Sequence, residues 1–184
     1  MSTEIPPLHA RSTRPLVERD MEQASKQRPK ATRKGQRLKL VEMLLEVSRC
    51  MASYDNLDDI LHALVDMTTR EIGGERGSLF LNDPSTNELY ARVAQGNLKH
   101  EIRLLNTSGI AGHVYSSGEP LIILDAYSDP RFKKDIDEQT GFITRDILCV
   151  PVKTVKGEII GVAQTLNKRN GKFTDRDLDI LEAM

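Results

Sequence analysis

Tryptophan is missing from this sequence, and four phenylalanines with four tyrosines bring the aromatic share to only 4%. The core must therefore be aliphatic, and a stacking platform for single-stranded nucleic acid is disfavoured. Cysteine occurs only as Cys50 and Cys149, in unlike contexts and without CxxC spacing. That usage fits a reducing, cytoplasmic setting with no disulfide framework. No run approaches the ~20 apolar residues of a spanning helix, and the N-terminal MSTEIPPLHARSTRP lacks the apolar stretch of a signal peptide. A soluble protein without a membrane span is expected.

The usual catalytic signatures are absent as well. There is no GxxxxGKS/T, no GxGxxG after a strand, no HExxH and no GxSxG, so nucleoside triphosphate, dinucleotide, zinc-protease and serine-hydrolase readings have no support. His9, His62, His100 and His113 are scattered rather than clustered, so no metal site and no cofactor are expected. A thiol–disulfide enzyme needs cysteines converging on a pocket, and two cysteines so placed support that weakly. No catalytic residue is assigned; the chain reads as a binding module, not an enzyme.

What is present begins with a charge asymmetry. The net charge is −1, but residues 1–40 hold ten Lys/Arg against four Asp/Glu, leaving a body with seven more acidic than basic residues. Pro6, Pro7, Pro15 and Pro29 interrupt a basic segment too poor in apolar residues to offset ordering its backbone, so 1–36 is expected to be a disordered basic tail. A solvated tail is favoured over a nucleic-acid or lipid arm. From 37 to 184 the apolar share and length fit one domain. Leu40, Leu44, Val47 and Met51 draw a helical stripe, open equally to packing on the chain's own core and to a two-helix seam between protomers.

Asn56 with Asp59 predicts a capped helix whose apolar face runs Leu57, Ile60, Leu61, Leu64, Val65, Thr68 and Ile72 up to Gly73-Gly74. The period then shifts towards two. Strands are expected at 78–81, 88–95, 101–105, 121–124, 146–152 and 158–166, with turn formers at 82–87 and 155–157. A short helix runs from Gly109 to Gly118, and the polar crossing 125–141 is too long for a turn, so it should hold short helices over something. Thr174 and Asp177 predict a capping box for a last helix. This order implies an α+β fold: a central antiparallel sheet with the N- and C-terminal helices packed on one face and ligand-covering connections on the other.

Several stretches carry a family resemblance: ERGSLFLND (75–83), GIAGHVYSSGE (109–119), DAYSDPRF (125–132), DEQTGFITRDILCVPV (137–152), GEIIGVAQTLNK (157–168) and NKRNGKFTDRD (167–177). With these residues 37–184 resemble a GAF domain, in particular the cyclic-nucleotide-binding GAF domains of regulatory phosphodiesterases and bacterial adenylyl cyclases. Asn167, Lys168, Phe173 and Asp177 match the NKFDE-type signature, with Leu178 in place of its last acid. The resemblance implies that Lys168 and Asp177 pair as a structural salt bridge. It also implies a ligand site: Ile110 and Ala111 amides for phosphate, Lys133 as a phosphate donor, Asp137, Thr140 and Thr144 for ribose or phosphate, and Ser78, Ala94, Gln95 and Gln164 around the base. A helix opening at Gly109 is itself suited to a phosphate. Ala94 departs from the aromatic of some cGMP binders and Gln164 from an acid there; an amide both donates and accepts, as the adenine edge requires, which favours cAMP.

The implied function is a regulatory sensor that binds a cyclic nucleotide, cAMP over cGMP, and allosterically controls a downstream signalling domain, acting as a homodimer through its terminal helices. The alternative is a GAF domain serving as a dimerisation module or sensing another small ligand. A bilin-bearing photoreceptor is a further variant, but neither cysteine lies at a matching attachment position.

Overall fold

The computed structural model describes residues 56–96 and 101–184, together with 38, 41, 42, 45–49, 53 and 54. The chain divides into two units, Met1–Leu44 and Leu45–Met184. Of the first, Leu38, Val41 and Glu42 are described, each helical and exposed. The expected tail at 1–36, the stripe residues Leu40, Leu44 and Met51, and Cys50, His9 and His100 lie outside the described residues. Val47, the remaining member of the stripe, is helical and half-buried.

In the second unit α1 spans Leu57–Ile72. The Asn56 side chain accepts the Asp59 amide hydrogen at 2.8 Å, satisfying one of the free first-turn donors. Gly73 closes the helix at φ 74°, a left-handed conformation that glycine adopts without steric cost. There follow β1 (Gly74–Asp83), β2 (Glu88–Ala94), β3 (Arg103–Leu105), α2 (Gly109–Ser117) and β4 (Leu121–Ile123). A 3-10 turn at Ala126–Ser128 and α3 (Lys134–Thr140) form the crossing; β5 (Ile147–Lys153), β6 (Ile159–Lys168) and α4 (Asp175–Glu182) complete the chain. The six strands make one antiparallel sheet in the order β3-β2-β1-β6-β5-β4. β3 is two residues shorter than the sequence implies, although the Ile102 carbonyl still accepts the Ala91 amide hydrogen at 2.9 Å.

Alternation along the strands sends apolar side chains to both faces, giving two cores. Val65 and Ile72 of α1 and Leu181 of α4 pack with Leu79, Val93, Leu148, Val150 and Ala163 on one face. Ile110, Ala111 and Val114 of α2 pack with Phe80, Leu89, Ile147 and Val162 on the other. Thus α1 and α4 share one face and α2 with the crossing covers the opposite one, the arrangement expected of a GAF-like sheet. Burial of such aliphatic side chains contributes about 1.5–3 kcal/mol each. On the helical face α1 comes so close to β1 that a Cβ at Gly77 would fall 2.0 Å from Thr69 Oγ1. Only glycine fits there.

The NKFDE-type residues tie these layers together. Lys168 Nζ reaches Asp177 at 2.8 Å and the carbonyl of Ile72 at 2.5 Å, joining β6 to the ends of α1 and α4. Asp177 also completes the capping box with Thr174. Asn167, fully buried, accepts from the Arg145 amide and donates to Glu75 and to the carbonyl of Ile143. Phe173 is buried in the core of the helical face.

Candidate functional site

On the face away from α1 and α4, a cavity of about 720 Å³ opens between β1, β2, β6, α2 and the crossing. That volume lies within the range of small-molecule sites. Strand register builds its floor: Ser78 stands opposite Ala94 on β2 and opposite Gln164 on β6, which sets the three in one row across the sheet. Because side chains alternate, Arg76, Ser78 and Phe80 of β1 all face the cavity, as do Gln164 and Leu166 of β6. Gln164 Nε2 donates to Ser78 Oγ at 3.3 Å. The remaining faces of this amide are an acceptor and a second donor.

One wall is the first turn of α2. Ser108 precedes it in an extended conformation and makes no side-chain capping bond, so the Gly109, Ile110 and Ala111 amides are left without a side-chain acceptor. Such amides, with the helix dipole behind them, attract an anion. Lys133 lies across from this turn, its stem against Gly109, where a Cβ would stand 3.4 Å from Lys133 Cγ. The lysine is exposed and lines the cavity.

The crossing forms the roof. Asp137 is buried, and its carboxylate accepts the Thr144 amide at 2.6 Å, the Thr144 hydroxyl at 2.7 Å and the Tyr127 hydroxyl at 3.2 Å. Burial and then the hydrogen bond to this carboxylate push the Tyr127 hydroxyl above its ordinary pKa. Thr140 donates to the carbonyl of Ile136 at 2.9 Å. Gln95 accepts the Gly77 amide at 2.8 Å and donates to Asp66 at 3.1 Å.

All ten residues expected at the ligand site therefore line one cavity: Ser78, Ala94, Gln95, Ile110, Ala111, Lys133, Asp137, Thr140, Thr144 and Gln164. Their polar atoms are not equally free. The protons of Thr140 and Thr144 serve the crossing itself, since a buried hydroxyl without an acceptor costs about 1–3 kcal/mol. Asp137 and Gln95 are likewise engaged within the fold. The α2 amides, Lys133 and the Ser78–Gln164 pair keep polar atoms that face the cavity without being used up in the fold.

Sequence reasoning missed Arg76 and Phe142. Arg76 precedes Ser78 by two positions, so strand alternation alone marks it as a cavity residue. Phe142 carries no such signal. Its ring lies under the Arg76 guanidinium, 4.0 Å from carbon to centroid. A second arginine at the cavity, Arg103, is paired with Glu101 and Glu88. Those carboxylates raise its pKa.

Cys149 stands in the core beside α2, where burial pushes its thiol well above the ordinary range. It is a packing residue rather than a nucleophile. His62 is exposed and hydrogen-bonds the carbonyl of Asp58 at 2.9 Å. Among the described residues no helix is long and apolar enough to cross a membrane, and no cluster of His, Cys, Asp or Glu could hold a metal ion.

A sheet with helices on one face, a cavity of small-molecule size on the other and the Lys168–Asp177 tie define an α+β domain built around a pocket. Residues 56–184 match the family model for the GAF domain, and the chain belongs to the GAF family. It is 38% identical over 157 residues to a probable 3',5'-cyclic phosphodiesterase pde-5 of Caenorhabditis elegans, covering 78% of this chain and 21% of that protein. It is 35% identical over 153 residues to dual 3',5'-cyclic-AMP and -GMP phosphodiesterase 11 of Drosophila melanogaster, covering 74% of this chain and 10% of that one. The chain thus spans about a fifth of the length of one of these relatives and a tenth of the other. In solved structures the fold is similar to the GAF domain of a phosphoenolpyruvate-protein phosphotransferase (ptsP) from Coxiella burnetii. The TM-score there is 0.69 at 20% identity, over 79% of this chain and 87% of that one. The family match is to a regulatory sensor domain, and the chain covers only a small part of either phosphodiesterase.

Proposed function

We propose that this chain is a cytoplasmic cyclic-nucleotide sensor domain that prefers cAMP to cGMP, works as a homodimer through its terminal helices and controls a downstream signalling domain. The observation that carries the reading is the cavity, which gathers all ten expected ligand residues around an anion-attracting helix start and a donor–acceptor amide. Both relatives named above are cyclic-nucleotide phosphodiesterases, one of them dual for cAMP and cGMP. In this reading the cyclic phosphate sits at the Ile110 and Ala111 amides with Lys133 beside it, and the base lies on the Ala94–Ser78–Gln164 row. No general base is required. Gln164 meets the adenine edge with both a donor and an acceptor, whereas guanine favours an acid there.

Thermal unfolding with cAMP, cGMP and buffer alone tests the reading. A ligand that binds only the folded state stabilises by about 2.7 kcal/mol at a hundredfold excess over Kd, or roughly 5–10 °C for a domain of this size. cAMP should give the larger shift. Lys133→Glu, at an exposed position, should leave ligand-free stability unchanged and weaken cAMP about tenfold through like-charge repulsion. If neither nucleotide moves the transition, the domain serves dimerisation or another small ligand instead.

A further inference from the structure

The crossing between Lys133 and Ile143 contributes no side chain to either core. Segments with so few buried apolar contacts open more readily than the body of a fold. Its near end follows Phe132, which packs on the core beside α2, and its far end is held where Asn167 takes the carbonyl of Ile143 and the amide of Arg145. Between these ends Lys134 lies over the Tyr127 ring, and the Asp137 carboxylate ties α3 to Thr144 and Tyr127. All of these contacts stay within the crossing and its flanks; the Phe142 ring beneath Arg76 reaches the sheet.

The Arg76 fastener has the marks of a built contact. Arg76 belongs to β1, a strand flanked on both sides in the sheet, so its base is rigid. Among the described residues no carboxylate pairs with its guanidinium. Gly96, at the end of β2, leaves the space the guanidinium fills: a Cβ there would fall 2.8 Å from Arg76 Cζ. Phe142 follows the left-handed Gly141 that ends α3, which turns the ring back over the cavity.

We propose that Arg76 and Phe142 form a latch that fastens the crossing over the cavity and sets the rate at which ligand enters and leaves. The latch acts between the rigid sheet and the loosely packed roof, and it is distinct from the groups assigned to hold the nucleotide. Arg76 is thus a positioning residue. Its effect on ligand exchange rests on the sensor reading above, but its effect on the roof does not.

Hydrogen exchange of the ligand-free protein reads the roof directly at the Gly141 amide, bonded to the carbonyl of Asp137, and the Thr144 amide, bonded to its carboxylate. Arg76→Gln and Phe142→Leu should each speed exchange at these amides by ~3- to 10-fold, the range a single cation–π contact supports. The double variant should exchange no faster than either single one. Arg76→Lys, which keeps a cation, should retain part of the protection. Amides of β5 and β6 should not change in any variant. Unchanged roof exchange in the single variants, or additive effects in the double, would overturn the latch. In the second arm, release of a fluorescent cAMP analogue should quicken by a similar factor in both variants; faster roof exchange with unchanged release would also overturn it. If the wild-type chain binds neither cAMP nor cGMP the sensor reading falls, and the exchange arm alone decides the latch.

Discussion

Asp129 and Arg131 face each other within a single tight turn of the crossing, with guanidinium and carboxylate in a two-point pair at 2.7 and 2.9 Å. That pair, ahead of the opposing effect of burial, holds the Asp129 carboxyl at about 2, against an ordinary value of 3.8. The folded pKa is the lower one, so the stabilisation is complete above about pH 5 and is lost progressively as the pH falls through the folded value of about 2. The half-exposed arginine limits it to roughly 1 kcal/mol. Asp129→Asn should therefore lower the urea midpoint at pH 7 by an amount equivalent to about 1 kcal/mol, and the gap between variant and wild type should narrow steadily as the pH falls from about 5 towards 2. A constant gap across that range would mean that the turn is stabilised by shape and not by charge. The buried Asn167 shows the other side of residue chemistry. Its φ of 56° is unusual for anything but glycine or asparagine. The family resemblance singled out Asn167, but its three hydrogen-bond partners at 75, 143 and 145 become visible only when the chain closes.

Elements whose signals are local were legible in the sequence. The Asn56 cap, the Gly73 stop, the turn formers between β1 and β2 and the Thr174–Asp177 box each act within four residues, and each forms as expected. Strand alternation likewise carried Ser78 and Gln164 to one face. What escaped was contact between distant elements: nothing near Phe142 announces Arg76, sixty-six positions earlier. The commitment of the Thr140 and Thr144 hydroxyls inside the crossing is of the same kind. Gly77 adds a test of how tightly two elements are matched. An alanine there would drive its Cβ into Thr69 Oγ1 and to 2.9 Å from Val65 Cγ1. Gly77→Ala should cost about 2 kcal/mol as α1 is pushed off β1, and Thr69→Ala in the same chain should recover part of that loss. Chemical denaturation of the two variants gives the comparison, and full stability of Gly77→Ala alone would show that α1 is free to shift.

At the scale of the whole molecule, the sheet is a partition between cavity and terminal helices, and β1 and β6 have residues on both sides. Ser78 and Gln164 face the cavity while their neighbours Leu79 and Ala163 pack beneath α1 and α4. Lys168 then binds the end of β6 to the last carbonyl of α1 and to α4. If the domain signals, free energy from the ligand must cross this partition, because a conformational change follows only from differential interaction with two states. Hydrogen exchange separates such coupling from simple stabilisation. Amides that exchange only by global unfolding slow by about a hundredfold at a hundredfold excess of ligand over Kd, wherever they lie. Amides at a helix end that exchange by local fraying are not slowed by that route. The first hydrogen-bonded turn of α1, from Ile60, whose amide meets the carbonyl of Asn56 at 3.5 Å, is such an end. Saturating cAMP should slow exchange there at least severalfold if the nucleotide biases the whole of α1, which Lys168 of β6 holds at its opposite end through the carbonyl of Ile72. Lys168→Met should abolish the effect at Ile60 while the Ile110 and Ala111 amides stay protected by the ligand. Protection confined to the cavity side in the wild-type chain would mean that binding stops at the sheet, leaving the helices no part in the output.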